Sequence, residues 1–166
     1  MTIAELVEEL SQEARTTRRV LERVPEDKLG WKPHEKSMSL GQLALHIAVV
    51  PGRIAELATQ SEFDIQTPVP RPEPGSVAEI LSALEDSIAR ATKALGTLSD
   101  AKLAQPWRMV SGDREIFSMP RGAFLRNVML NHWYHHRGQL TVYLRQTGAL
   151  VPSVYGPSAD ENPFGG

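Results

Sequence analysis

Apolar residues recur three and four positions apart along four stretches of the chain, the spacing of a helix with one buried face. The first carries Ile3, Leu6, Val7, Leu10, Ala14, Leu21 and Val24. Thr2 and Glu5 stand before it at capping-box spacing, and the helix is expected to end before Pro25. The second runs from about Ser39 to Ala58, with Ser39 and Gln42 as its box and Leu43, Ile47, Val50, Ile54 and Leu57 as its stripe. Pro51-Gly52 falls inside it and predicts a kink or a break. The third opens at Ser76, with Glu79 as box partner, and carries Val77, Ile80, Leu81, Leu84, Ile88, Ala91 and Leu95. The fourth spans about Arg121 to Thr147, and Gly148 is the residue type that closes a helix.

The segments between are long. Residues 59–75 hold Pro68, Pro70, Pro72 and Pro74 and read as an extended strap. Within 99–119, WRMVSGDREIF allows a small hairpin around Ser111-Gly112-Asp113. The tail from Pro152 is rich in Pro and Gly and carries no helix signal. Four amphipathic helices without strong strands predict an all-α fold, a four-helix bundle with long crossover connections. At 166 residues the expectation is one domain, residues 1–166, around one core.

Composition narrows the function only by exclusion. A formal net charge of -2 argues against a nucleic-acid binder that works through bulk positive charge. The absence of cysteine removes disulfides, thiolate metal sites and a cysteine nucleophile, and is compatible with the cytoplasm. The start of the chain does not read as a signal peptide, and no apolar stretch approaches the length of a membrane span.

The candidate chemistry lies in NHWYHHRGQL, residues 131–140, which holds three of the five histidines. At about 100° per residue, His132 and His136 sit about 40° apart, on the face that also carries Leu125, Val128, Gln139 and Tyr143. His135 falls at the edge of that face, and Arg137 and Arg145 point away from it. Two inward imidazoles one turn apart are hard to satisfy with backbone groups that the helices already use. A divalent ion, taking one nitrogen from each ring, resolves this. His46, on the second helix, shares its face with Leu43, Val50 and Leu57 and would supply a third ligand. Three protein ligands leave a position for water or substrate, as in a catalytic zinc site. The competing readings are a surface pair, a hydrogen-bonded core pair, or histidines satisfied by one another and by water. His34 sits in a Pro-containing loop and is expected in solvent.

Several familiar motifs are missing. Trp133 follows His132, so the pair is not H-E-x-x-H, and there is no P-loop, dinucleotide fingerprint or G-x-S-x-G.

The helix HWYHHRGQLTVYLRQTG resembles the signature helix of the DinB/YfiT-like family, and SLGQLALHIA resembles its first ligand helix. VPEDKLGWKPHEKSMS and VPSVYGPSADE are also similar to family segments. The resemblance implies a four-helix bundle of up-down-down-up topology, often a homodimer. It also implies a divalent metal, zinc or nickel, held by three histidines, which match His46, His132 and His136 here. Relatives include transferases and an isomerase that use low-molecular-weight thiols, so a thiol cosubstrate and a small-molecule substrate are implied. The chain has no thiol of its own, so a metal-dependent thiol S-transferase, hydrolase or isomerase would have to be handed its nucleophile. Gln139 and His135 are the candidates to orient a ligand ring from behind. Arg137 is expected to pair with Asp160 or Glu161, and Trp31, Trp107 and Trp133 to serve as packing. The alternative is a non-catalytic, metal-binding dimeric scaffold or stress-response protein. Neither reading includes a nucleic-acid or membrane partner.

Overall fold

A computed structural model describes residues 1–165. Helix α1 spans Ile3–Leu21 and opens on the Thr2/Glu5 capping box. Helix α2 spans Leu40–Thr59 and opens on the Ser39/Gln42 box. Helix α3, Val77–Gly96, is capped by the Ser76 hydroxyl, which accepts from the Glu79 N–H. Glu79 itself reaches one residue further back, to the Gly75 N–H. A short α4, Asp100–Leu103, follows. The last helical stretch has three parts: α5 at Arg121–Phe124, a π-helical run at Leu125–Asn131, and α6 at His132–Gln146. It closes at Gly148, whose φ of 78° suits only glycine well. There the Gly148 N–H donates to the Arg145 carbonyl and the Ala149 N–H to that of Leu144, satisfying two end carbonyls.

The chain is not the all-α four-helix bundle that the periodicity predicts. Residues 106–120 fold as the hairpin β2 (Pro106–Ser111) and β3 (Arg114–Pro120), turning at Gly112-Asp113. The strap between α2 and α3 contributes β1, Glu62–Asp64, which pairs parallel to β2. The result is a three-stranded mixed sheet of order β1-β2-β3. Its inner side chains have a place to go. Trp107 is fully buried, stacks on Phe124 at 3.6 Å between ring centroids, and donates its indole N–H to the Leu57 carbonyl at the end of α2. Strand pairing at that point is settled by this docking, not by local pattern.

Helix α2 is central: it packs on α3 and on the last helix, while α1 lies against α3 and α6. Pro51 does not break it. A proline cannot donate to the carbonyl four residues back. That carbonyl, Ile47 O, instead accepts the Trp133 indole N–H at 2.8 Å. The next amide, Gly52 N–H, donates to Ser87 Oγ of α3 at 2.8 Å. Both groups disturbed by Pro51-Gly52 are thus answered from other helices. Among the described residues no helix is long and apolar enough to cross a membrane.

Gly52 lies at a close approach of α2 to α3. A Cβ there would stand 2.7 Å from the Ser87 carbonyl oxygen, a backbone atom that cannot swing aside. Gly52→Ala is therefore expected to destabilise the protein by about 1–3 kcal/mol, although alanine is the better helix former. A urea titration showing equal or greater stability would mean that the two helices do not meet this closely.

Candidate metal centre

The structure brings His46 of α2 together with His132 and His136 of α6. Ring centroids are 5.3 Å apart for His46–His132, 4.7 Å for His46–His136 and 4.5 Å for His132–His136. One ring nitrogen from each lies within 4.8 Å of the other two. All three residues are half-buried.

The outer nitrogens decide what the inner ones can do. His132 Nδ1 faces the Val128 carbonyl at 3.3 Å. A carbonyl only accepts, so Nδ1 carries the proton. His136 Nδ1 faces Gln139 Oε1 at 2.7 Å, which places a proton there as well. A neutral imidazole has one N–H, so both Nε2 atoms present lone pairs. They lie 2.8 Å apart. Two lone pairs at that distance repel unless a cation sits with them. A shared proton would need one ring charged, and the surroundings oppose that. Burial pushes His46 down to about 4, helped by the neighbouring rings and by the charges of Arg71 and Arg53. Burial likewise holds His132 and His136 below the ordinary imidazole range, although the hydrogen bonds they donate to Val128 and Gln139 work the other way. Three neutral imidazoles with converging lone pairs are a donor set suited to a divalent transition metal.

The π-helical run takes part in this. The His132 N–H bonds to Asn127 O and Met129 O, not to Val128 O, the acceptor it would have in an α-helix. The Val128 carbonyl is left to take the His132 side chain. A π turn holds more residues than an α turn, so the face of residues 125–131 does not continue straight into α6.

This corrects the helical wheel. The buried stripe of α6 is Trp133, Arg137, Leu140 and Leu144, centred about 110° round from His132. The two histidines flank that stripe toward α2, and Arg137 lies within it. Far from pointing outward to Asp160 or Glu161, Arg137 is 1% exposed. It pairs with Glu13 of α1 at 2.6 Å and donates to Thr17 Oγ1 and to the Tyr155 hydroxyl. The tail acids pair elsewhere, Asp160 with Arg145 and Glu161 with Arg19. Gln139 reaches the His136 ring as described. His135 is exposed, its ring centroid 5.0 Å from that of His136, and it does not line the cavity beside the histidines. His34 is exposed, and its Nδ1 accepts the Lys36 N–H.

That cavity, about 380 Å³, opens next to His46 and His132. Its walls come from α2, from the sheet through Phe63, Trp107 and Met109, and from the strap at 69–72. Trp107 therefore borders the site as well as packing the core. Arg53 and Arg71 also line the cavity and were not among the expected site residues. Arg53 was within reach of the sequence, since it lies seven residues after His46 and so on the same side of α2. Arg71 depends on how the strap folds back, which no local signal predicts.

A family model described as the DinB family matches residues 1–163. The uncharacterized protein YrdA of Bacillus subtilis is 28% identical over 151 residues, 90% of this chain and 85% of its own length. The crystal structure of a DinB-like protein from Bacillus cereus superposes with a TM-score of 0.72 at 27% identity, covering 93% of this chain and 98% of that one. A DinB-like protein of Bacillus subtilis shares the fold, with a TM-score of 0.70 at 20% identity over 95% of this chain and 99% of its own.

Proposed function

Because the chain belongs to the DinB family, we propose that it binds a divalent metal ion through His46, His132 and His136 and uses it as an enzyme acting on a small molecule. The observation that carries this reading is the pair of Nε2 atoms 2.8 Å apart, on rings whose Nδ1 atoms face the Val128 carbonyl and Gln139 Oε1. A zinc or nickel ion bound there would lower the pKa of a thiol or water, making a nucleophile at neutral pH. The chain supplies the rest. His46, His132 and His136 stay neutral through burial and so keep their lone pairs for the ion. Gln139 and the Val128 carbonyl hold two of the rings in one tautomer and orientation. The apolar walls of the cavity exclude water from the reacting atoms. With no cysteine in the chain, a low-molecular-weight thiol is the incoming nucleophile this reading favours, as in a thiol S-transferase. On the family resemblance, the reading extends to a homodimer in the cytoplasm.

The test is metal content and turnover. Protein purified without an affinity tag and reconstituted with zinc or nickel is expected to hold close to one ion per chain. Less than about 0.1 ion per chain would end the metal reading. The loaded protein is then offered an electrophile with bacillithiol, mycothiol or glutathione in turn. Metal binding without turnover by any of them, or with water, would favour the non-catalytic scaffold. Gln139→Leu should keep the ion but bind it about 10–100-fold more weakly, by competition with a chelating dye. Unchanged affinity would remove Gln139 from the support of the site.

A further inference from the structure

The cavity beside the histidines is apolar almost throughout, and among the described residues its only charged linings are two arginines. Arg53 lies on α2, seven residues on from His46, and Arg71 lies on the strap that crosses the opening. Among the described residues no acid lines the cavity. Among the described residues neither guanidinium makes an ion pair or a hydrogen bond. Arginines 18, 19, 90, 108, 126, 137 and 145 meet carboxylates, and Arg15, Arg23, Arg114 and Arg121, which do not, lie away from the cavity. Two unanswered cations at an apolar cavity are an arrangement that folding alone does not call for. A guanidinium offers a planar fork that matches an oxyanion group.

We propose that this cavity binds an amphipathic anion, an apolar body carrying one carboxylate or phosphate that Arg53 and Arg71 hold, with its far end at the histidines. The proposal deepens the reading above and rests on it only in taking this cavity as the substrate's; binding by the arginines needs no metal. The apolar body would lie against side chains such as Ile54, Phe63, Trp107 and Met109.

The strap fits the same role. It is tied at one end by Thr67 N–H to Asp64 O and at the other by the Ser39 hydroxyl to Glu73. Between them, residues 68–72 make no hydrogen bond to the rest of the chain among the described residues. Arg71 is exposed at the middle of that span. An oxyanion bridging Arg53 and Arg71 would tie the free part of the strap to α2 and close the cavity over its ligand.

The test is calorimetric titration with decanoate, decyl phosphate, decanol and octanoate, on the metal-loaded protein and on the same protein after chelation. Decanoate or decyl phosphate is expected to bind at least about tenfold more tightly than decanol. Decanoate should exceed octanoate by about fourfold for each methylene. The acid-over-alcohol preference should survive chelation and fall to about threefold or less in Arg53→Gln, with decanol affinity as the check on folding. If Arg53→Gln loses decanol too, Arg71→Gln on the exposed strap carries the same comparison. Equal binding of acid and alcohol would overturn the proposal, as would a preference that persists in both variants. A preference lost on chelation would also overturn it, because the acid would then be held by the ion. A protein that takes up no metal yet keeps the preference would sink the metal reading and leave this one standing.

Discussion

His46→Ala is expected to reduce metal content from about one ion per chain to below about 0.1 under conditions that load the unaltered protein. The exchange removes one of three nitrogens that converge from two helices. His132 and His136 alone form a pair on one helix, with their lone pairs still facing each other at 2.8 Å. Loss of a ligand should cost more than the 10–100-fold expected when a supporting group such as Gln139 is removed. The fold should tolerate the change. Alanine is the best helix former, and His46 is half-buried at the cavity edge with no hydrogen bond that another group depends on. Urea midpoints of the metal-free proteins should therefore agree closely, which separates loss of the ion from loss of structure. His132→Ala should behave alike. If His46→Ala retained a full complement of metal, the ion would lie somewhere other than among these three rings.

Arg137→Ala is expected to be the most damaging exchange for stability, by about 3–5 kcal/mol. The Arg137 side chain is 1% exposed and that of its partner Glu13 14%. Truncation strands the Glu13 carboxylate away from most water and removes the donor to Thr17 Oγ1. It also removes one of the two bonds of the Tyr155 hydroxyl, which accepts from Arg137 and donates to Glu13, and so loosens the tail at that point. Three segments distant in sequence, α1, α6 and the tail, meet at this one guanidinium. Arg137→Met with Glu13→Gln should recover much of the loss, since no charge is then left buried without a partner. Denaturant unfolding of the single and double variants gives the comparison. A loss below about 1 kcal/mol for Arg137→Ala would place the pair among ordinary solvent-screened ones.

The two largest predictions differ in how far the sequence foretold them. His46, His132 and His136 were visible as candidates because imidazoles on apolar-flanked helix faces are chemically conspicuous. Their spacing follows from helical geometry wherever the helix is found. Arg137 was assigned the wrong surroundings. The wheel ran an unbroken α period back to Leu125, and seven of those residues are π-helical. It also took the histidine face for the centre of burial, when Trp133, Leu140 and Leu144 show the centre to lie beside it. The expected kink or break at Pro51 gave way to a helix continuous through it, because Trp133 and Ser87 answer what Pro51-Gly52 disturbs.

The hairpin at 106–120 is where the sequence allows one, but the three-stranded sheet it joins is not legible, for a related reason. WRMVSGDREIF shows a turn at its middle, but its flanks carry charges and only loose alternation. What makes it a hairpin is Trp107 stacked on Phe124 and anchored to the end of α2, with β1 paired alongside. The sheet is also what walls the cavity with Phe63, Trp107 and Met109. An all-α expectation leaves the histidines with no such pocket beside them.

By itself, then, the sequence determined where three long helices begin and where the last one ends, since caps at Thr2, Ser39, Ser76 and Gly148 act within a few residues of themselves. It also determined which imidazoles could converge. Only the tertiary structure decided the tautomers of His132 and His136, the burial of Arg137, the sheet, and the approach of Arg53 and Arg71 to one cavity. Each of these depends on groups far apart along the chain, whose meeting is set by packing and by the satisfaction of buried polar atoms, and local spacing carries no record of either.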